Sequence, residues 1–397
     1  MNTLIINCGS SSLGFGVFAA EADGGRKVVA AGKAKNVATA TQAASVVDWT
    51  IGGQSGQQPA TMETHRAAAH EVLAILSAHG VAIDAVGHRF VHGGDRFTET
   101  TRIDDEALAE LRATLPLAPI HNPNSFSVIE VCLERLPGVA QYAVFDTAFH
   151  AAMPPAAREY AIPRELARDH SLRKYGFHGL SYQYVSARTA ELLGKPVDQV
   201  RLIMCHLGTG GSSVCAFAEG RSQDTSMGYS PLQGLVMSTR SGDIDAEVVL
   251  ALIRAGYTPD EVGTLLNSKS GLIGVSGYSS NLAEVIAAAA DGNDACALAY
   301  EVYAHRLRHY IGAYLFLLGG ADALVFTDDI GVKSWELREK VCAGAEGLGL
   351  VLDPSENRQA TSGDAFVEAS TSTTRIMVVK TDEERVIFDE VRRQLAV

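Results

Sequence analysis

The chain has 397 residues, 47% of them hydrophobic and 20% charged, and a formal net charge of −13. This length exceeds what one hydrophobic core usually supports, so two domains are expected. The acidic balance argues against nucleic acid or an anionic membrane surface as the main partner, because both attract basic faces.

No targeting or membrane-spanning segment is predicted. The first residues run directly into an apolar strand without a basic region or a cleavage site. No apolar stretch approaches the ~20 residues that a membrane span requires. The six cysteines form no C-x-x-C pair and are expected to be reduced and buried. A cytoplasmic protein is therefore expected.

The first predicted elements are two strands, residues 3–6 and 13–18, which flank the small-residue turn Asn7–Ser12. A second pair of strands flanks the glycine- and serine-rich turn His206–Ser213 later in the chain. Two such hairpins at the starts of two similar halves predict a duplicated α/β domain with a cleft between the copies.

Alanine-rich segments between the strands predict helices at Thr61–His79, Asp104–Leu115, Ser181–Leu193, Asp245–Ala255 and Ala295–Leu318. Further strands are predicted at Ala85–Val91, Tyr142–Phe145, Ala323–Phe326 and Arg375–Val379. The Gly/Gln/Ser-rich segment Ile51–Ala60 predicts an exposed loop. The alternation indicates α/β layering, with an N-terminal domain at 1–147 and a C-terminal domain at 148–383.

Short turns at strand ends carry the side chains suited to phosphate chemistry. A Walker-type loop is excluded, because G-x-x-x-x-G-K-[ST] does not occur. Arg89 and Asp146 each stand where a predicted strand becomes a loop, and Arg240 lies among small and acidic residues. His121 and His178 lie beside turn-forming residues. Taken singly, each also has an ordinary explanation, such as a surface ion pair or a solvated histidine.

Taken together, the motifs closely resemble the ordered motif set of acetate kinases. The segments that carry the resemblance span nearly the whole chain: Asn7-Cys-Gly-Ser-Ser-Ser, HRFVHGG (88–94), LAPIHNPNS (117–125), FDTAFH (145–150), YGFHG (175–179), HLGTGG (206–211), DTSMGYSPLQGL (224–235), TRSGDID (239–245), LNSKSGLIGVSG (266–277) and KTDEE (380–384). The resemblance implies two duplicated ribonuclease H-like domains of the actin-like ATPase type, with the C-terminal helix 384–397 returning to the first domain. It also implies a homodimer and domain closure around bound substrates.

The resemblance implies reversible phosphoryl transfer between a donor, ATP in most of the family, and acetate, giving acetyl phosphate. Arg89 and Arg240 would hold the carboxylate and the transferring group, His178 would hydrogen-bond phosphoryl oxygens, and Asp146 would orient the arginines or a metal. A carboxylate is already ionised at neutral pH, so no general base is needed. Charge neutralisation by the arginines, the histidine and Mg²⁺ (or Mn²⁺) is the main requirement.

Further residues take binding roles by the same resemblance. Asn7 and Glu383 would place the metal, with Glu384 as the runner-up. The acetate side of the site would be lined by Val91, Ile120, His121, Phe177 and Pro231. The donor side would be lined by Ser10, Ser12, His206, Gly208, Thr209, Gly210, Asn281, Leu282, Ala283, Asp328, Asp329 and Gly331.

The chain departs from the family in the donor region. The family's GGIGEN turn reads Asp328–Lys333, its aspartate–aromatic–arginine triplet reads Asn281–Ala283, and the asparagine of its HLGNG turn reads Thr209. Aspartate adds bulk and charge where the backbone would approach a nucleotide, and the lost arginine would have stacked on the base. Asp328 and Asp329 are both expected to narrow the donor pocket.

Several alternatives stay open. The altered pocket either tolerates substitution and still binds ATP, or it uses a compact donor such as pyrophosphate or phosphate. Propionate is an alternative acceptor, because one methylene changes discrimination by only ~1–3 kcal/mol. A ligand-binding relative that has lost catalysis is the remaining alternative.

Overall fold

The computed structural model describes residues 1–9, 11–21, 24–38 and 45–396. These residues form two compact units. Unit 1 comprises the described residues of Met1–Phe149 and Asp382–Val397, and unit 2 comprises His150–Thr381. In the described ranges, no helix has both the length and the apolar character needed to cross a lipid bilayer.

Each unit is built on one β-sheet. The strands of unit 1 are β1 (Asn2–Cys8), β2 (Ser12–Ala20), β3 (Arg26–Lys35), β4 (Val46–Ile51), β5 (Gln54–Pro59), β6 (Ala85–Phe90), β7 (Thr101–Arg102) and β8 (Ala140–Phe145). Those of unit 2 are β9 (Leu202–Leu207), β10 (Ser212–Ala218), β11 (Arg221–Thr225), β12 (Ala323–Thr327), β13 (Ala365–Phe366) and β14 (Arg375–Val378).

The helices connect and cover these strands. In chain order they are α1 (His65–Ala78), α2 (Asp105–Ala113), α3 (Asn122–Arg135), α4 (Pro155–Arg158), α5 (Arg164–Asp169), α6 (Gly179–Leu193), α7 (Ala246–Arg254), α8 (Pro259–Ser268), α9 (Gly271–Ser276), α10 (Leu282–Ala290), α11 (Asp294–Leu318), α12 (Asp328–Lys333), α13 (Trp335–Cys342), α14 (Pro354–Gln359) and α15 (Glu383–Leu395).

The two sheets share one topology, which confirms the predicted duplicated α/β fold. The sheet orders are β5-β4-β3-β2-β1-β6-β8-β7 and β11-β10-β9-β12-β14-β13. The segment β3-β2-β1-β6-β8 therefore matches β11-β10-β9-β12-β14. In both, the first three strands are antiparallel and the next two run parallel to the third.

The parallel strands explain why distant motifs converge within each unit. Ile6 pairs with His88, and Phe90 pairs with Phe145. The carboxyl ends of β1, β6 and β8 therefore lie at one edge of the unit 1 sheet, which is where ligands bind in open α/β sheets. In unit 2, His206 of β9 pairs with Thr327 at the end of β12.

Helices cover both faces of the unit 1 sheet. Leu4 lies in a buried apolar cluster with Val72 of α1 and Val131 of α3. On the opposite face, α15 packs on β6, where a Cβ at Gly87 would lie 2.6 Å from Ile387 Cγ2. Only glycine lets the C-terminal helix approach the sheet this closely.

Most predicted elements are confirmed, with ends that shift by a few residues. The helix predicted at Thr61–His79 begins at His65, because the Thr64 side chain accepts a hydrogen bond from Ala67 N and caps it. The six cysteines are all buried and unpaired, as expected.

Two local predictions are wrong. The segment predicted as a loop at Ile51–Ala60 contains β5, which pairs with β4 across a two-residue turn. Gly52 and Gly53 both have positive φ, 57° and 85°, as tight hairpin turns favour. The side chains of β5 are mostly exposed, so its polar composition is compatible with an edge strand. The segment Asp328–Lys333, expected as a turn, is the short helix α12.

Candidate active site

Four predicted residues from separate chain segments meet in unit 1. Arg89 forms a bidentate pair with Asp146, since Nε donates to Oδ1 at 2.9 Å and Nη2 donates to Oδ2 at 2.7 Å. Its Nη1 donates to Asn7 Oδ1 at 3.1 Å and lies 3.4 Å from Glu383 Oε2. Asp146 is 1% exposed, and a carboxylate buried to that degree needs a cationic partner. Arg89 is therefore held in one orientation.

The two candidate metal carboxylates lie in different surroundings. Glu383 Oε2 faces Arg89, whereas Glu384 Oε2 lies 3.4 Å from where a Cβ would stand at Gly16 of β2. Burial raises the pKa of the Glu384 carboxyl. The amide oxygen of Asn7 and the carboxylate of Glu383 are oxygen donors of the kind Mg²⁺ takes, usually with waters and phosphate oxygens as its other ligands. This donor set is chemically compatible with a divalent cation, and of the two glutamates Glu383 is the one that shares the Arg89 contact with Asn7.

The buried side chain of Asn122, which was not predicted as a site residue, holds the backbone of His92, the residue after Val91. Asn122 Oδ1 accepts from His92 N at 3.2 Å, and Asn122 Nδ2 donates to His92 O at 3.0 Å. Val91 is buried, His121 immediately precedes α3, and Ile120 is 50% exposed. The only sequence signal for Asn122 was its place in the HNP motif.

In unit 2, two predicted histidines form a stacked pair. The rings of His178 and His206 are 4.0 Å apart at an angle of 26°. His206 Nδ1 lies 2.9 Å from Ser181 Oγ, and His178 Nδ1 lies 2.8 Å from Ser213 Oγ. Ser213 Oγ is also 2.5 Å from Tyr182 OH. Ser181 and Tyr182 were not predicted as site residues, yet they help to fix both rings.

The loop before α6 places His178 in an unusual backbone conformation. His178 has φ 60°, and Gly176 has φ 78° with a Cβ position only 2.7 Å from the His150 ring. His150 Nε2 lies 3.0 Å from Phe177 O, and Phe177 itself is 1% exposed. The YGFHG motif is therefore a buttressed loop that presents His178.

Arg240 reaches the glycine turn Gly208–Gly211. A Cβ at Gly211 would lie 3.3 Å from Arg240 Nη1 and 3.5 Å from His178 Nε2, so both side chains approach the same point of the turn. Within the described ranges Arg240 pairs with no carboxylate; its guanidinium contacts Gly210 O at 3.4 Å and the Met237 sulfur. Burial lowers the pKa of Arg240, although a guanidinium stays charged at neutral pH. A shielded cation of this kind is suited to hold an anion.

Five predicted donor residues line one pocket of unit 2, with a volume of about 590 Å³. They are Thr209, Asn281, Leu282, Ala283 and Asp329. Apolar residues of α10 and the unpredicted Trp335 complete much of the wall. Asn281 also has a structural task, since its Oδ1 accepts from Ala283 N at 3.0 Å and caps α10.

Asp328 lies outside this pocket, so the expectation that it narrows the pocket beside Asp329 is wrong. Asp328 has a φ of 64°, outside the right-handed helical range, so its side chain points in a different direction from that of Asp329. Asp329 pairs with Lys333 at 3.0 Å. Asp328 Oδ2 instead lies 3.3 Å from His206 Nε2 and only 2.2 Å from where a Cβ would stand at Gly208.

A buried arginine that was not predicted holds α12. Arg338 is 0% exposed and donates to the carbonyl oxygens of Gly331, Val332 and Ala360 and to both oxygens of Asn357. Burial lowers the pKa of Arg338 to about 10. Gly331, predicted to contact the donor, thus serves through its carbonyl as an anchor for α12.

The remaining predicted residues are less informative. Ser10 lies outside the described residues. Ser12 begins β2, and its carbonyl accepts from Gly9 N at 2.9 Å within the first turn. Pro231 is partly buried in unit 2. The acyl pocket assigned to Val91, Ile120, Phe177 and Pro231 stays a prediction.

Comparison with known proteins places the chain in a family. The profile of the acetokinase family matches residues 2–389. The acetate kinase of Heliobacterium modesticaldum is 47% identical over 80% of this chain and 81% of its own length. The crystal structure of an acetate kinase from Entamoeba histolytica superposes with a TM-score of 0.90 at 39% identity, covering 99% of both chains. That of a propionate kinase from Francisella tularensis gives 0.89 at 35% identity, covering 98% of both. The chain belongs to the acetokinase family and is a phosphotransferase with a carboxyl group as acceptor.

Proposed function

We propose that the protein reversibly transfers a phosphoryl group between a nucleotide, ATP in the first instance, and acetate, giving acetyl phosphate. Family membership supports the reaction class. The assignment of residues is supported mainly by the position of Arg240. Its shielded guanidinium pairs with no carboxylate in the described ranges and lies beside His178 at the Gly208–Gly211 turn. This arrangement suits the oxygens of a phosphoryl group or a carboxylate.

The proposed mechanism is direct transfer aided by charge neutralisation. Acetate is ionised at neutral pH and attacks without a general base. The barrier is repulsion between two anions, which Arg89 and Arg240 reduce, while His178 hydrogen-bonds the transferring group. Asp146 keeps the Arg89 guanidinium in one orientation. Mg²⁺ (or Mn²⁺), held by Asn7 and Glu383, would offset charge on the donor phosphates.

The donor pocket supports a nucleotide. About 590 Å³ is within the range of small-molecule sites, and the apolar side of α10 together with Trp335 suits a flat base. Arg358 lies 4.9 Å from the Trp335 ring centroid and supports this side chain. A compact donor, pyrophosphate or phosphate, is the second candidate, favoured by the replacement of the family's base-stacking arginine with Ala283.

The proposed acceptor is acetate, with propionate as the competitor suggested by the likeness to a propionate kinase. Val91 is 7% exposed and is assigned to the pocket wall. Shortening it in Val91→Ala should raise the propionate-to-acetate ratio of kcat/KM about tenfold, the effect of roughly one methylene of apolar contact. An unchanged ratio would remove Val91 from the acyl pocket.

We also propose a homodimer, with α7 in the contact. No side chain of α7 is buried, although the helix carries Val248, Leu250 and Ile253, which are 42%, 42% and 39% exposed. Leu250 and Ile253 lie three positions apart and share one face of the helix, and exposed apolar side chains grouped in this way mark interaction surfaces. A second copy of the chain is the partner that the family resemblance favours.

A panel of donors and acceptors tests the function. Purified protein is mixed with Mg²⁺, acetate or propionate, and ATP, GTP, pyrophosphate or phosphate, and acyl phosphate is trapped as the hydroxamate. The proposal expects acetyl phosphate with a nucleotide donor. Product with pyrophosphate or phosphate alone would replace the nucleotide by the compact donor, and no product from any pair would overturn the proposed function.

A further inference from the structure

Asp328 occupies an unusual position at the end of β12. It has φ 64°, a conformation that non-glycine residues rarely adopt. Its carboxylate stands over the first glycine of the turn Gly208–Gly211, since a Cβ at Gly208 would lie 2.2 Å from Asp328 Oδ2. The glycine and the aspartate thus fit together, and any larger residue at 208 would require the Asp328 carboxylate to move.

The same carboxylate engages His206. Asp328 Oδ2 is 3.3 Å from His206 Nε2, and His206 Nδ1 is 2.9 Å from Ser181 Oγ. Both ring nitrogens of this 5% exposed histidine therefore have partners within the protein. A phosphoryl oxygen at His206 Nε2 would therefore compete with the Asp328 carboxylate, and donation to the phosphoryl group is assigned to His178 and Arg240.

The charge at Asp328 opposes an anionic ligand at the turn. Arg240 Nη1 and His178 Nε2 approach the turn at Gly211, while the carboxylate of Asp328 approaches it at Gly208. A phosphate bound here is attracted by the guanidinium and repelled by the carboxylate. The Asp328 side chain is 31% exposed, so solvent weakens this repulsion without removing it.

We propose that Asp328 weakens the binding of every phosphate donor at its phosphate end, by lying against His206 Nε2 and by placing a negative charge on the Gly208–Gly211 turn. The inference rests on the proposed function for the identity of the donor. It predicts an effect common to every phosphate donor, because Asp328 does not line the pocket beside Trp335 that would take the base.

Direct binding tests this. Calorimetric titrations of ADP and of pyrophosphate, each with Mg²⁺ and without acetate, compare the wild type with Asp328→Asn. Asparagine keeps a side chain of the same shape beside His206 Nε2 but carries no charge. We expect Kd to fall about tenfold for both ligands, as removal of one nearby like charge implies. The donor KM should fall in parallel, with a smaller change in kcat.

Three further variants separate charge from shape. Asp328→Gly removes both the charge and the contact with His206, suits the positive φ, and should tighten both ligands at least as much. Asp329→Asn removes an equal charge from the pocket beside Trp335, so any change in Kd that it causes should appear with ADP and not with pyrophosphate. Asp291→Asn, beyond α10, should leave both Kd values unchanged.

The outcomes distinguish the inference from the proposed function. If Asp328→Asn and Asp328→Gly leave both Kd values within about twofold of wild type, or weaken binding, the inference is wrong. It is equally wrong if ADP gains affinity and pyrophosphate does not, since the charge would then act on the base or ribose. A tenfold gain for both ligands in a protein that forms no acyl phosphate would support the inference and overturn the proposed function.

Discussion

At the scale of single residues, Arg89 and Arg240 share a proposed role but have different surroundings. Arg89 is committed to Asp146, Asn7 and Glu383 in unit 1, whereas Arg240 pairs with no carboxylate in the described ranges. Removal of Arg89 would leave the buried Asp146 carboxylate without its cation, which costs about 3–5 kcal/mol in comparable pairs. Arg240 is therefore the cleaner probe of catalysis.

Arg240→Ala should lower kcat by about a hundredfold or more, because it removes charge stabilisation that is greatest in the transition state. Its thermal midpoint should stay near that of the wild type. Arg168→Ala, at a position 73% exposed and paired with Asp169, is the control and should alter neither quantity. A near-normal kcat at saturating substrates in Arg240→Ala would show that the guanidinium has no part in the transfer.

Glu383 and Glu384 provide a matched pair for the metal. Glu383→Gln should raise the Mg²⁺ concentration needed for half-maximal activity about tenfold or more, because it replaces an anionic ligand by a neutral one. Glu384→Gln, the adjacent residue directed toward β2, should leave the Mg²⁺ requirement near that of the wild type. The assignment would be reversed if Glu384→Gln showed the larger shift.

At the scale of elements, the sequence predicted those strands and helices that have a buried apolar pattern and end at turn-forming residues. The hairpins β1–β2 and β9–β10, the parallel strands and α11 followed from such patterns. β5 was missed because it is an edge strand held by pairing with β4. Its side chains are mostly exposed, so its sequence has no alternating apolar pattern. α12 was missed because it is anchored by hydrogen bonds from Arg338 to the carbonyl oxygens of Gly331 and Val332, which no local pattern reveals.

The candidate site shows the same division. Asn7, Arg89, Asp146 and Glu383 were predicted from motifs, and the structure brings them together in unit 1. The residues that position the site could not be predicted. Examples are Asn122, which holds the backbone beside Val91, and Tyr182, which contacts the Ser213 hydroxyl beside His178. Their contribution lies in contacts between distant segments, which a single sequence does not display.

The stability of unit 1 is expected to depend on pH through His88 of β6, which contacts Gln141 of β8. His88 Nε2 lies 2.8 Å from Gln141 Oε1, and burial lowers the pKa of His88 to about 4. An unfolded chain would protonate this histidine near its ordinary pKa of about 6.5. The stability contributed by the neutral ring is therefore complete above about pH 6.5 and is lost as the pH falls toward 4. Between about pH 7.5 and pH 5 this loss should be about 2 kcal/mol.

His88→Gln should remove most of that loss. Urea unfolding followed by Trp49 fluorescence in a Trp335→Phe background reports on unit 1 at both pH values. Replacement of the exposed His170 in His170→Gln should leave the pH dependence unchanged. The same loss of stability in His88→Gln as in the wild type would mean that another group titrates.

At the scale of the whole molecule, the uncovered helix α7 predicts self-association. Leu250→Asp places a charge in the proposed contact and should convert a dimer into a monomer, as measured by light scattering after size-exclusion chromatography. Leu348→Asp, at a residue 64% exposed and distant in sequence, is the control and should stay dimeric. A wild-type monomer, or a dimer unaffected by Leu250→Asp, would contradict the proposed surface.

The central claim is the transfer of a phosphoryl group to the carboxylate of acetate. Phosphorus NMR of the wild-type protein with ATP, Mg²⁺ and acetate follows donor and products in one spectrum. Phosphoryl transfer to acetate predicts a growing acetyl phosphate resonance that matches the loss of the γ-phosphate of ATP, and the reverse conversion when acetyl phosphate and ADP are supplied. ATP that stays unchanged, or that yields only inorganic phosphate while acetate remains unmodified, would contradict it.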